Sequence, residues 1–102
     1  MEMQGKVVVV TGAGSGIGRA LAQRIAENGA EFVICTDMNA DNAAETAASI
    51  GEQASSIGLD VSDEKAIEEA VQKVESEQGR IDVFVSNAGY GQAGGLDLPT
   101  AD

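Results

Sequence analysis

Short apolar runs alternate along the chain with stretches whose apolar positions recur at helical spacing. The run Val7-Val8-Val9-Val10 predicts a first strand over residues 6–11, and Ile17, Leu21 and Ile25 then recur on one face of a helix over residues 16–28. Asn28-Gly29 supplies the stop of that helix. Phe32-Val33-Ile34-Cys35 predicts a second strand over residues 32–36, and the alanine-rich segment over residues 40–50 predicts a second helix that Gly51 ends. A weak third strand is expected over residues 56–59. The third helix is the best specified: Ser62 is its expected N-cap, Asp63 and Glu64 suit its first turn, and Ile67, Ala70, Val71 and Val74 share one face until Gly79. Ile81-Asp82-Val83-Phe84-Val85 reads as a fourth strand whose nearly continuous apolar character suits burial on both sheet faces, and residues 87–99 are glycine-rich and loop-like.

Strand and helix in strict alternation predict an α/β fold with a parallel sheet. Right-handed crossovers place the strands in the order 3-2-1-4 with three helices, the N-terminal half of a Rossmann-like doubly wound sheet. The fourth strand is then an apolar edge that calls for a neighbour. A chain of 102 residues fits one small domain with much of its surface exposed, so marginal stability is expected unless a partner covers it.

Thr11-Gly12-Ala13-Gly14-Ser15-Gly16-Ile17-Gly18 lies between the first strand and the first helix. The first N–H groups of a helix have no internal partner and its dipole end is positive, so such a turn suits a phosphate, and glycine allows close approach. A P-loop requires Gly-Lys-Ser/Thr, which is absent. The spacing Gly-x-Gly-x-x-Gly also fails, because Ile17 and Leu21 stand where the third glycine is required. Gly12-Ala13-Gly14-Ser15-Gly16 matches Gly-x-Gly-x-Gly, a pattern of many S-adenosylmethionine-dependent methyltransferases, and on spacing alone that alternative stays open.

Three motifs in order nevertheless resemble the short-chain dehydrogenase/reductase family. Thr11 to Gly18 meets its fingerprint Thr-Gly-x-x-x-Gly-x-Gly in full; Ser86-Asn87-Ala88-Gly89 is similar to its Asn-Asn-Ala-Gly, with serine at the first position; Asp60-Val61 matches a pairing that flanks adenine. The resemblance covers essentially the whole chain but only the N-terminal part of the family fold. It implies that Gly12, Ser15, Gly16, Ile17 and Gly18 surround the pyrophosphate and adjoining ribose, and that Asp60 and Val61 contact adenine. It also implies that Asn87, Ala88 and Gly89 line the adenosine ribose side and steady the strand beneath; Asn87 itself is retained despite Ser86. The bland alternatives are helix–strand packing for the glycines, a helix-entry turn for Asp60 and a structural turn for Asn87.

Asp37 stands at the end of the second strand, about 20 residues past the glycine turn, where a carboxylate accepts both ribose hydroxyls of NAD and repels the 2′-phosphate of NADP. No basic residue lies between Arg24 and Lys65, so NAD is the expected cofactor, with a loop cap as the alternative for Asp37. Arg19, in the first helical turn, is within reach of a phosphate there, but the solvated helix surface is its expected place. The family's catalytic groups, a serine and Tyr-x-x-x-Lys, come later than residue 102, and Tyr90 does not substitute because Gly94 stands where the lysine is required. The expectation is therefore a chain truncated before the catalytic segment, inactive by itself. Pro99-Thr100 resembles the entry to a further helix, with Thr100 as its N-cap. In the complete enzyme the resemblance implies hydride transfer between nicotinamide and an unspecified alcohol or carbonyl compound, and a homo-oligomer. A self-contained NAD-binding module without chemistry is the alternative from another class.

Composition narrows the partners. Seventeen acidic against six basic residues and no histidine give a formal charge of -11, which disfavours nucleic acid and anionic membranes. With no histidine and one cysteine, no zinc site is expected. Cys35, in its apolar run, reads as strand packing rather than a nucleophile and is compatible with a reducing compartment. No apolar segment approaches the roughly 18 residues of a membrane span, and the start is not a secretory signal, so a cytoplasmic location is expected.

Overall fold

The computed structural model describes residues 3–87, and its elements run β1 (Val7–Val10), α1 (Gly16–Glu27), β2 (Phe32–Asp37), α2 (Ala40–Ile50), β3 (Ala54–Gly58), α3 (Glu64–Gln78) and β4 (Val83–Val85). The four strands form one parallel sheet in the order β3-β2-β1-β4, as the alternating pattern predicts. Parallel neighbours need long crossovers, and the three helices supply them. β1 is central, and every one of its valines is buried. On one face Val8, Val10, Val33 and Cys35 pack with Ala22 and Ile25 of α1 and Ala47 of α2. On the other face Val7, Val9 and Ile34 pack with Val74 of α3. Each of the buried valines and isoleucines contributes about 1.5–3 kcal/mol relative to exposure.

Several boundaries differ from the sequence reading, each for a local reason. β3 begins at Ala54 and ends at Gly58, because its ladder with β2 starts at the Val33–Ala54 pair. Leu59 leaves the strand but stays attached, its N–H donating to the Asp37 carbonyl at 2.9 Å. β4 is shorter than residues 81–85: the Asp82 carboxylate takes the Val7 N–H at 2.8 Å while the Asp82 N–H donates to the Val7 carbonyl at 2.9 Å. A side chain thus does the work of a ladder carbonyl at the strand's entry. β4 is also less covered than expected, with Phe84 41% exposed, since it forms an edge among the described residues.

The cap of α3 is Asp63, whose carboxylate accepts the Ala66 N–H, and not Ser62. Asp60 accounts for the difference: its Oδ1 accepts both the Ser62 N–H and the Ser62 hydroxyl, at 2.9 and 2.7 Å. Ile17 shares the apolar periodicity of α1 with Leu21 and Ile25, yet it is 79% exposed. It stands in the first turn of the helix, next to Gly16.

Candidate cofactor-binding site

The four strands are parallel, so their C-terminal ends lie together and bring Gly12, Ser15, Gly16, Ile17, Gly18, Asp37, Asp60, Val61 and Asn87 to one end of the sheet. The chain leaves β1 toward β2 on one side and returns to β4 on the other, so the residues after β1 sit at the switch point of the topology. Ser15 is the N-cap of α1 but makes no side-chain capping bond. By contrast Asn39 caps α2 by accepting the Asn42 N–H, and Asp63 caps α3. Both α2 and α3 carry an acidic residue in the first turn, and α1 carries none. The N–H groups of Ser15, Gly16, Ile17 and Gly18 therefore have no acceptor among the described residues. Four donors at the positive end of a helix dipole are what an anion requires.

Two glycines make this arrangement possible in different ways. Gly16 takes φ +57°, a left-handed conformation, and open space lies where its Cβ would stand, so the backbone is approachable from outside. Gly18 is a packing requirement instead. A Cβ there would overlap the Gly12 carbonyl and come within 2.7 Å of the Asn87 Nδ2.

Asp37 ends β2 beside the turn. Its Oδ2 accepts the Gly14 N–H at 2.8 Å and its Oδ1 the Asn39 N–H at 2.9 Å, so it caps the loop that follows β2 and ties that loop to the glycine turn. Each carboxylate oxygen retains a further acceptor site. Met38, the next residue, is 74% exposed at the same end of the sheet. Asn87 donates its backbone N–H to the Thr11 hydroxyl at 2.7 Å, which joins the segment after β4 to the start of the fingerprint.

Asp60 and half-buried Val61 lie past β3 and make no hydrogen bond to the glycine turn. Asp60 shapes the entry to α3, and the bonds from Ser62 hold its carboxyl below the usual range. Ala88 and Gly89 lie outside the described residues, as do Tyr90 and Thr100.

Arg19 is not the solvated surface residue expected from its helical position. Its Nε donates to the Thr46 hydroxyl at 2.8 Å, and one Nη donates to the Gly14 carbonyl at 3.1 Å and to Glu45 at 3.2 Å. Thr46, which the sequence reading passed over, is buried and donates to the Ala13 carbonyl at 2.7 Å. Its signal was a hydroxyl residue on the buried face of α2, between Ala43 and Ala47. Cys35 is buried in β2, and burial pushes its thiol up to about 11, consistent with packing rather than nucleophilic chemistry.

The family model described as short chain dehydrogenase matches residues 6–100. The chain belongs to the short-chain dehydrogenase family. Membership removes the methyltransferase alternative that glycine spacing left open. Among curated relatives, the probable oxidoreductase EphD of Mycobacterium tuberculosis is 48% identical over 97 residues, covering 91% of this chain and 16% of that protein. The 3-oxoacyl-[acyl-carrier-protein] reductase FabG of Vibrio harveyi is 40% identical over 89 residues, covering 87% of this chain and 36% of that protein. A solved 3-ketoacyl-(acyl-carrier-protein) reductase from Brucella melitensis, complexed with NADH, superposes with a TM-score of 0.76 at 36% identity, covering 80% of this chain and 34% of that one. The chain thus spans well under half the length of these relatives. No helix among the described residues is long and apolar enough to cross a membrane.

Proposed function

We propose that this chain is the NAD-binding portion of an oxidoreductase that interconverts an alcohol and a carbonyl compound. The uncapped, acid-free N-terminus of α1 at the switch point carries this reading, since its N–H groups fit a pyrophosphate and family membership supplies the cofactor class. Gly12, Ser15, Gly16, Ile17 and Gly18 hold the pyrophosphate and its ribose, Asp37 the adenosine ribose hydroxyls, Asp60 and Val61 the adenine. Asn87, Ala88 and Gly89 form the ribose-side wall. When bound, the nicotinamide supplies hydride transfer. The residues of this chain bind and orient; none of them is assigned a proton-transfer role.

NAD is proposed over NADP because a carboxylate at the end of β2, that of Asp37, would repel a 2′-phosphate, and because Arg19 is committed to Thr46, Gly14 and Glu45. We also assign the chain to a cytoplasmic, homo-oligomeric enzyme acting on a small molecule, without nucleic-acid or membrane partners. Titration with NADH and NADPH, followed by nicotinamide fluorescence, tests the reading. Saturable binding with NADH at least tenfold tighter supports it; equal or tighter NADPH binding overturns the preference, and no binding of either overturns the assignment.

A further inference from the structure

We infer that Arg19 and Thr46 are positioning residues for pyrophosphate binding, acting through the peptide planes of the glycine turn rather than by touching the ligand. The inference rests on the NAD reading above and adds residues that the fingerprint does not contain. Three successive peptides of the turn are held by β2 and α2 or by α1. The Ala13 N–H donates to the Thr36 carbonyl at 2.8 Å. The next peptide is fixed at both ends, its Ala13 carbonyl accepting the Thr46 hydroxyl and its Gly14 N–H donating to Asp37. The Gly14 carbonyl of the third accepts from Arg19.

In a trans peptide the carbonyl and the following N–H point in opposite directions. Holding the Gly14 oxygen toward Arg19 therefore turns the Ser15 N–H away from it, and that N–H has no acceptor among the described residues. Glycine imposes little barrier to rotation of this peptide, and a flip would present a carbonyl oxygen in place of a donor. The Arg19 side chain is suited to prevent the flip, because its fork reaches Thr46 and Gly14 together while Thr46 holds Ala13. Its ion pair with Glu45 at 3.2 Å offsets its charge locally, so its contribution is geometric rather than a direct attraction for phosphate.

The test compares binding of ADP-ribose, which carries the pyrophosphate, with adenosine, which does not, in the parent protein and in Arg19→Met, Thr46→Val and Thr46→Ser. The expected result is an about tenfold loss for ADP-ribose in Arg19→Met and Thr46→Val, with adenosine affinity unchanged and near-parent ADP-ribose affinity in Thr46→Ser. Thermal unfolding of each variant without ligand identifies any that fails to fold, and Thr46→Val against Thr46→Ser then carries the comparison. Parent-like ADP-ribose binding in the folded variants overturns the inference while leaving the NAD reading intact, and so does an equal loss for adenosine. Failure of the parent protein to bind either NAD or ADP-ribose overturns the NAD reading itself.

Discussion

The Thr11 hydroxyl accepts the backbone N–H of Asn87 at 2.7 Å, across 76 positions of sequence. Thr11 is itself buried, and its own N–H donates to the Val85 carbonyl at 2.9 Å. The first residue of the glycine fingerprint therefore also fixes where the chain leaves β4. Thr11→Val keeps the shape of the side chain and removes that acceptor. A loss of about 1 kcal/mol is expected, with Thr11→Ser close to the parent; denaturant unfolding of the three proteins checks it.

Gly18 and Gly16 are distinguishable by substitution. Alanine at Gly18 places a Cβ against the Gly12 carbonyl, a backbone atom that moves only if the turn moves. The expected cost is about 1–3 kcal/mol or more, together with weakened NAD binding. Alanine at Gly16 meets no atom within 4 Å but must adopt φ +57°, so a smaller cost of about 1 kcal/mol is expected. Equal destabilisation by the two changes, measured as shifts in the unfolding midpoint, would contradict this division of roles.

The Asp82 carboxylate accepts the Val7 N–H and pairs with Arg80 at 2.8 Å, and these bonds hold its carboxyl below the ordinary value of 3.8. A carboxyl depressed on folding contributes stability above its unfolded value and loses that contribution as pH falls through the folded one. Unfolding free energy should therefore drop below about pH 4, and Asp82→Asn should flatten part of that drop. Parallel pH profiles for parent and variant would remove Asp82 from the explanation.

Burial raises the Cys35 thiol to about 11, so it should resist alkylation at pH 8 in the folded protein and react once the chain is unfolded. Rapid modification under native conditions, followed by intact mass, would contradict the packing of β2.

Much of the fold was legible because its strongest signals are local. The valine run of β1, the Ala40–Ile50 span of α2 and the glycine that ends it follow directly from propensity and periodicity. The cap of α3 was misplaced by one residue because Ser62 and Asp63 are both good N-caps, and the competing bond from Ser62 to Asp60 is visible only in three dimensions. Periodicity puts Ile17 on one helix face with Leu21 and Ile25 but does not show that it is 79% exposed while Ile25 is buried. At the site, motif spacing found the residues whose backbone lines the turn. It put Arg19 on the solvated surface and passed over Thr46, because their bond depends on how α1 and α2 pack across 27 positions of sequence.

The central claim is that the first turn of α1 receives the cofactor pyrophosphate. Amide ¹H–¹⁵N spectra recorded during titration with NAD test it at the atoms concerned. The account predicts that the resonances of Ser15, Gly16, Ile17 and Gly18 shift most and saturate together, with Gly14 and Asp37 following. Saturable NAD binding that leaves those four amides unmoved, or no NAD-dependent shift at all, would contradict it.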